Sequence, residues 1–314
     1  MIDNIMVSII CIAYNHEKYI RDALDGFVMQ KTDFAFEVLI HDDASTDSTA
    51  SIIREYEARY PDVIKPIYQT ENQYQQGISV ISTYLAPRIS GKYAALCEGD
   101  DYWTDDSKLQ RQVDFLEAHP EIDGCAHRVM VKGMSDHRSD RYVAPADHDG
   151  ILSLDQVISG GGGFVATNSL VFRSDLYDKR YKFTEILTLD YIHQIRISIR
   201  GGMYYMDRCM GVYRYMTDGS WSVRMSKNLE KYIRHTQKVI QALEQLDVDL
   251  DYRCHDTIVH KIARNQCGIV VSSADIRMFL EEPYRSSLHL LSFPEQCQYW
   301  WRAWKHQIRN FLKS

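Results

Sequence analysis

Two acidic clusters stand out among the residues of this 314-residue chain that could do chemistry. The denser is Glu98-Gly99-Asp100-Asp101-Tyr102-Trp103, three carboxylates within four residues, directly after the apolar run Tyr93–Cys97. Charge at that density repels itself unless a cation offsets it. A hard divalent ion, Mg²⁺ or Mn²⁺, takes oxygen ligands, typically one or two carboxylates with substrate phosphates. Gly99 lets the backbone turn tightly. An ion there can bind a diphosphate and offset the charge on a departing nucleotide. The competing reading is a solvated turn. The second cluster is His41-Asp42-Asp43-Ala44-Ser45-Thr46-Asp47. Helix capping accounts for Ser45 or Asp47. It does not account for Asp42 and Asp43 side by side, whereas a carboxylate that accepts the N3–H of a uracil-like base does.

Both clusters must be placed by the elements before them. Met6–Ala13 (MVSIICIA) is a continuous apolar run, the pattern of a strand buried on both faces of a parallel sheet. Phe36–His41, Val63–Tyr68 and Tyr93–Cys97 read as further strands. Helical stretches about 17–30, 45–59 and 79–89 lie between them, the second stopped by Pro61. Alternating strands and helices predict right-handed βαβ units and a mainly parallel sheet. Ligands of such sheets sit at the carboxyl ends of the strands, where both clusters fall. A helix follows at about 107–119. Gly124–Val131 and Thr167–Arg173 then read as strands, and the polar stretch Ser135–Asp149 between them as a mobile loop. From about Met225 the pattern is helical.

The net charge of −7 argues against general nucleic-acid binding, which leaves a basic footprint. Seven cysteines without a C-x-x-C pair read as free thiols in a reducing compartment. The N-terminus carries no signal-peptide pattern, and no run approaches the ~20 apolar residues of a membrane span. These features predict a cytoplasmic protein.

The sequence resembles the family 2 glycosyltransferases with the GT-A fold. Val7-Ser8-Ile9-Ile10 with Ala13-Tyr14-Asn15, then Asp42-Asp43-Ala44-Ser45-Thr46-Asp47, then Glu98-Gly99-Asp100-Asp101-Tyr102-Trp103 carry the resemblance. Lys108-Leu109-Gln110-Arg111-Gln112 fits the bacterial EGDDYW-type subgroup. The match covers the first two-thirds and weakens after about residue 125. It implies an α/β GT-A catalytic domain over 1–224, with a nucleotide-sugar-binding half to about 103 and an acceptor half after it. A helical C-terminal region over 225–314 follows.

The resemblance further implies an inverting, metal-dependent transfer from a nucleotide sugar, a UDP-sugar, to an acceptor hydroxyl in bacterial surface-polysaccharide biosynthesis. The acceptor is a saccharide or lipid-linked saccharide. Tyr14 and its neighbours Ile12, Ala13 and Asn15 line the base and ribose pocket. Asp43, rather than Asp42, contacts the base. Glu98 or Asp100 contacts the ribose, with Gly99 between them, and Asp100 or Asp101 holds the metal. Asp106 stands where relatives carry a proline.

Inversion needs one general base. The family places an acidic residue at a helix start in its second half, and Asp190 in Thr188-Leu189-Asp190-Tyr191 fits, with Glu185 second. Without the family, Asp190 reads as an N-cap. Gly160–Gly163 lacks the G-x-G-x-x-G spacing and reads as a flexible loop near the acceptor or a plain hinge. Tyr213–Met216 with Gly219–Ser222 resembles the segment that closes over the donor, where Arg214 can pair with the diphosphate. His255 and His260 read as structural. The tail Tyr299–Lys313 is basic and aromatic, with Trp300, Trp304, Ile308 and Phe311 on one helical face. It suits an anionic membrane surface; alternatively its tryptophans pack internally or on a second subunit in a homodimer. Two other functions compete with this reading. A sugar nucleotidyltransferase should carry a glycine-rich basic loop where Ala13-Tyr14-Asn15-His16 stands. A non-catalytic nucleotide-sugar-binding or scaffolding protein does not need the acidic residues retained here.

Overall fold

The computed structural model describes residues 5–133, 141–177, 181–187, 190–215, 217 and 228–311. The N-terminal half runs β1 (Val7–Ala13), α1 (Ile20–Val28), β2 (Phe36–Asp42), α2 (Thr49–Arg59), β3 (Ile64–Tyr68), β4 (Tyr93–Leu96), β5 (Tyr102–Trp103) and α3 (Lys108–Ala118). Then come β6 (Gly124–Gly133), β7 (Arg141–Val143), β8 (Gly150–Leu152), α4 (Leu154–Gly160), β9 (Val171–Arg173), α5 (Lys182–Ile186), α6 (Asp190–Ser198) and β10 (Met203–Tyr215). Helices α7 (Leu229–Asp249), α8 (His255–Ser273), α9 (Tyr284–His289) and α10 (Phe293–Phe311) follow. Two compact units emerge: Met1–Lys179 with Asp190–Thr217, and Arg180–Leu189 with Asp218–Ser314.

The strands of the first unit form one sheet in the order β3-β2-β1-β4-β9-β6-β10-β5, with β7 beside β6 and β8 beside β10. From β3 to β4 all neighbours are parallel, as the strand–helix alternation predicts. Strand β1 lies between β2 and β4, so its carboxyl end is the switch point of the parallel half. Apolar residues of β1, β2 and β4 (Ile9, Cys11, Val38, Ile40, Ala95) meet Leu24 and Phe27 of α1 and Ile53 of α2, all fully buried. Each large side chain there contributes about 1.5–3 kcal/mol by leaving water.

The sheet is mixed: its long ladders are parallel as expected, β6 with β10 among them, and its short ones antiparallel. Strand β9 enters antiparallel to both β4 and β6, and β5, β7 and β8 also pair antiparallel. Antiparallel neighbours need no helical crossover, so alternation of elements stops constraining direction there. The expected mobile loop contains β7 over its residues 141–143; residues 135–140 lie outside the described part. The helix expected over 79–89 is a π turn, Ile81–Leu85, running into a 3₁₀ turn, Ala86–Arg88. Pro87 lacks the N–H that a continuing helix needs there.

Candidate active site

The exits of β1 and β2 are laced together. Asn15 N–H donates to Ser45 Oγ (2.9 Å) and Thr46 N–H to Asn15 Oδ1 (2.8 Å). Asn15 holds a φ of 54°, a left-handed conformation that asparagine tolerates better than most residues. Glu17 N–H reaches Asp47 Oδ2 at 3.1 Å, and Ser48 N–H reaches Glu17 Oε2 at 3.0 Å. Tyr14 is half-buried on this loop, beside half-buried Ile12 and buried Ala13.

Asp42 and Asp43 are both buried, and their environments differ. Asp43 accepts amide N–H groups from Gln73 (2.8 Å) and Tyr74 (3.1 Å), which holds the segment after β3 over the end of β2. Asp42 keeps Oδ1 without a partner, and burial raises its pKa against the opposing hydrogen bonds of Ser45. Two adjacent carboxylates thus do different work, one as a loop anchor and one as a strained charge.

The acidic turn continues β4 along β1. Cys97 N–H donates to Ile10 O and Gly99 N–H to Ile12 O, at 3.1 and 2.9 Å. A Cβ on Gly99 would meet Ile20 Cδ1 at 2.8 Å and His16 Nδ1 at 3.0 Å. A larger residue there would have to displace the Ile20 and His16 side chains at the start of α1. The carboxylates that follow are held by the end of β10. Thr217 Oγ1 donates to Asp100 Oδ2 (2.8 Å) and Arg214 N–H to Asp101 Oδ1 (2.9 Å). Asp101 is 3% exposed, and burial, then the Asp100 charge, pushes its pKa well above the usual carboxylate range.

Arg214 was expected to pair with a diphosphate. Its guanidinium bonds to Asp22 and to Asp100 O (2.8 Å) and lies 5.2 and 4.4 Å from the ring centres of Tyr19 and Tyr102. It is a strut for the turn. Met216 and Gly219–Ser222, expected to close over the donor, lie outside the described residues.

The Lys108–Gln112 segment has a physical reading here. Lys108 and Gln112, one turn apart on α3, both point inward. Lys108 Nζ donates to Gln112 Oε1 (2.7 Å) and lies 4.0 Å from the Trp103 ring centre, with burial lowering its pKa to about 7. Gln112 Nε2 donates to Ser169 O (2.9 Å), Trp103 Nε1 to Asn168 O (2.8 Å), and Asn168 Nδ2 to Val212 O (2.9 Å). The 3₁₀ turn Thr167–Ser169 is therefore pinned to the strand that follows the acidic turn and to β10.

That same turn meets Asp190. Thr167 Oγ1 donates to Asp190 Oδ2 at 2.7 Å, across 23 residues of sequence. Asp190 opens α6 and is exposed as a residue. Protein packed around the carboxyl raises its pKa, and the Thr167 bond opposes this by favouring the carboxylate. The glycine run beside it is no free hinge. Gly161, at φ 77°, caps α4, and buried Gln194 of α6 donates to Gly162 O (3.1 Å) and Val165 O (3.2 Å). Glu185, the second candidate, sits on α5, which belongs to the other unit. His255 and His260 make structural contacts with Asp247 and Glu295.

Sequence reading missed Thr167, Thr217 and Asp22. No motif marks them, because each acts through a partner far along the chain. Among the described residues, no three His, Cys, Asp or Glu side chains gather into a metal cage. The donor set at Asp100 still fits Mg²⁺ or Mn²⁺, which commonly take only one or two protein carboxylates and fill the shell with phosphate and water.

Comparison with known proteins agrees with this geometry. An uncharacterized protein of Mycobacterium tuberculosis is 36% identical over 259 residues, 82% of this chain and 72% of its own. An Escherichia coli protein named UDP-Glc:alpha-D-GlcNAc-diphosphoundecaprenol beta-1,3-glucosyltransferase is 32% identical over 112 residues, 36% of this chain and 41% of its own. The crystal structure of S. aureus TarS with UDP-GlcNAc superposes with a TM-score of 0.62 at 18% identity, covering 95% of this chain and 79% of that one. The profile of Glycosyl transferase family 2 matches residues 8–181. With that match spanning more than half its length, the chain belongs to glycosyl transferase family 2 and is a glycosyltransferase, its sheet and helices arranged as in GT-A enzymes such as TarS.

Proposed function

We propose that this glycosyltransferase moves a sugar from a UDP-sugar to an acceptor hydroxyl with inversion, in bacterial surface-polysaccharide assembly on the cytoplasmic side. One observation carries the reading. A single hydrogen-bonded frame, Trp103–Asn168–Thr167, joins an acidic turn suited to a diphosphate's metal with the Asp190 carboxylate, suited to an acceptor proton. The acceptor is a saccharide on a lipid diphosphate, the chemistry that the E. coli relative's name states. The EGDDYW-type motif and its buried Lys108–Gln112 brace support assignment to that bacterial subgroup.

In this reading the residues of the site take the roles that the family resemblance implies. Ile12, Ala13, Tyr14 and Asn15 form the wall of the nucleoside pocket. Asp43 accepts from the base N3–H with lone pairs that its two amide bonds leave over, and Glu98 binds the ribose. Asp100 is the metal ligand in this reading, because Asp101 is turned onto the Arg214 amide as part of the frame. When bound, the ion neutralises the leaving diphosphate. Asp190 takes the acceptor proton as the acceptor oxygen attacks the anomeric carbon. The bond from that carbon to the β-phosphate oxygen breaks, and the nucleoside diphosphate leaves with the electron pair. The catalytic unit covers 1–224 in this proposal, with 225–314 as a helical appendage.

A thermal-shift screen of nucleotide sugars with and without Mn²⁺ tests the reading. UDP-sugars with Mn²⁺ are expected to raise Tm, and chelation to remove the effect. A shift with GDP-sugars only, or none with any donor, rejects it. A second expected outcome concerns Thr167. A hydrogen bond to a charged group is worth about 1.5–3 kcal/mol. Thr167→Val should therefore lower kcat roughly 10- to 100-fold while leaving donor KM unchanged, and Thr167→Ser should restore it. The acid limb of the rate profile should move to higher pH in the valine variant, since the bond lost there opposes the raised pKa of Asp190.

A further inference from the structure

Helix α10 carries two unlike faces. Trp300 packs inward, its ring 5.0 Å from that of Phe279, and Ala303 is fully buried against the cluster that α8 contributes to. The outward face presents Trp301, Trp304 and Ile308, which are 58%, 46% and 37% exposed. The two outward indoles lie against each other at 5.2 Å rather than under any other element. At 100° per residue these three side chains span roughly 60° of the helix surface. Lys305, Arg309 and Arg302 occupy the next roughly 60° and are all exposed. Between Gln296 and Phe311 there is no acidic residue. The one acid of the helix, Glu295, is tied to Arg264 and Ser292.

We propose that this face docks on an anionic lipid bilayer surface, with the Trp301–Trp304 pair and Ile308 in the headgroup boundary and Arg302, Lys305 and Arg309 against lipid phosphates. The charge pattern selects this occupant. The chain carries a net charge of −7, yet this stripe is purely cationic. Juxtaposed copies of the helix would set like charges of Arg302, Lys305 and Arg309 near one another. Tryptophan beside lysine and arginine is the composition that interfacial helices use at anionic membranes. The inference stands apart from the transfer reaction, because every residue in it lies on α10.

Vesicle flotation of the full chain tests it. The protein should float with phosphatidylglycerol–phosphatidylcholine vesicles, stay behind with phosphatidylcholine alone, and detach in high salt. Tryptophan emission should shift to the blue on binding. The double change Trp301→Ser with Trp304→Ser, and separately the triple change Arg302→Gln, Lys305→Gln and Arg309→Gln, should each lower partitioning tenfold or more, to order of magnitude. Both alter exposed positions, so Tm and the UDP-sugar shift should hold. Equal binding to both vesicle types, no binding, or binding retained by both variants overturns the proposal. So does a concentration-dependent dimer that the tryptophan change dissolves, which would make the face a subunit interface.

Discussion

Asp190→Asn is expected to leave UDP-sugar binding unchanged and to lower transfer about 10²–10⁴-fold, the usual contribution of a positioned base. Asparagine keeps an oxygen for the Thr167 hydroxyl, so the α6 start and the 3₁₀ turn should stay in place. What it loses is the ability to take a proton. Isothermal titration with the donor and Mn²⁺ reads the first half of this expectation, and single-turnover transfer reads the second. In the wild type, protein around the carboxyl raises its pKa, so the carboxylate form is lost as pH falls through that raised value. Transfer should therefore begin to fall at a higher pH than an ordinary carboxylate would give, and this limb should vanish in Asp190→Asn. Full transfer by the variant would show that the acceptor proton goes elsewhere.

Chelation of divalent ions should cost several kcal/mol of leaving-group stabilisation, on the order of 10³-fold in transfer at 1.36 kcal/mol per tenfold. Mn²⁺ or Mg²⁺ should restore it. Asp100→Asn should imitate chelation and resist rescue. Asp101→Asn should behave differently. It retains an oxygen that can accept the Arg214 amide, and it removes a buried charge that its surroundings disfavour. Its metal response should persist, with the main change in thermal stability. The contrast between the two variants, measured as donor binding against Mn²⁺ concentration, assigns the metal ligand. Metal-independent transfer by the wild-type protein would remove the role given to this turn.

The frame around Thr167–Ser169 explains why these two predictions are linked. Trp103 follows the acidic turn by two residues, and its indole holds the backbone of Asn168, next to the threonine that orients Asp190. A distortion of the acidic turn should therefore reach the acceptor side without any direct contact between the two carboxylates. Lys108 beneath Trp103, fully buried and without a carboxylate partner in its described hydrogen bonding, is part of that support.

Local patterns in the chain specify the parallel half of the sheet, the placement of Asp42–Asp43 and Glu98–Asp101 at strand ends, and Asp190 at a helix start. These are local properties. Apolar runs, helical periodicity and motif spacing all act within a few residues, and the chain obeys them from β1 to β4. The rest comes from contacts between distant parts of the chain. Tertiary structure turned β9 antiparallel to β4 and β6, a direction that the local pattern of a three-residue strand does not encode. It brought Arg214 to Asp22, 192 residues away, and to the turn's backbone, contacts that the family resemblance did not announce. It brought Thr217 to Asp100 across 117 residues and Thr167 to Asp190 across 23. It also split the tail's tryptophans. Trp300 and Trp301 point about 100° apart on the helix, and the buried cluster with Phe279 on one side takes the first inward and leaves the second on the surface. Hydrogen bonds and packing choices between distant residues leave no periodic trace in the sequence, because either partner alone is an ordinary residue.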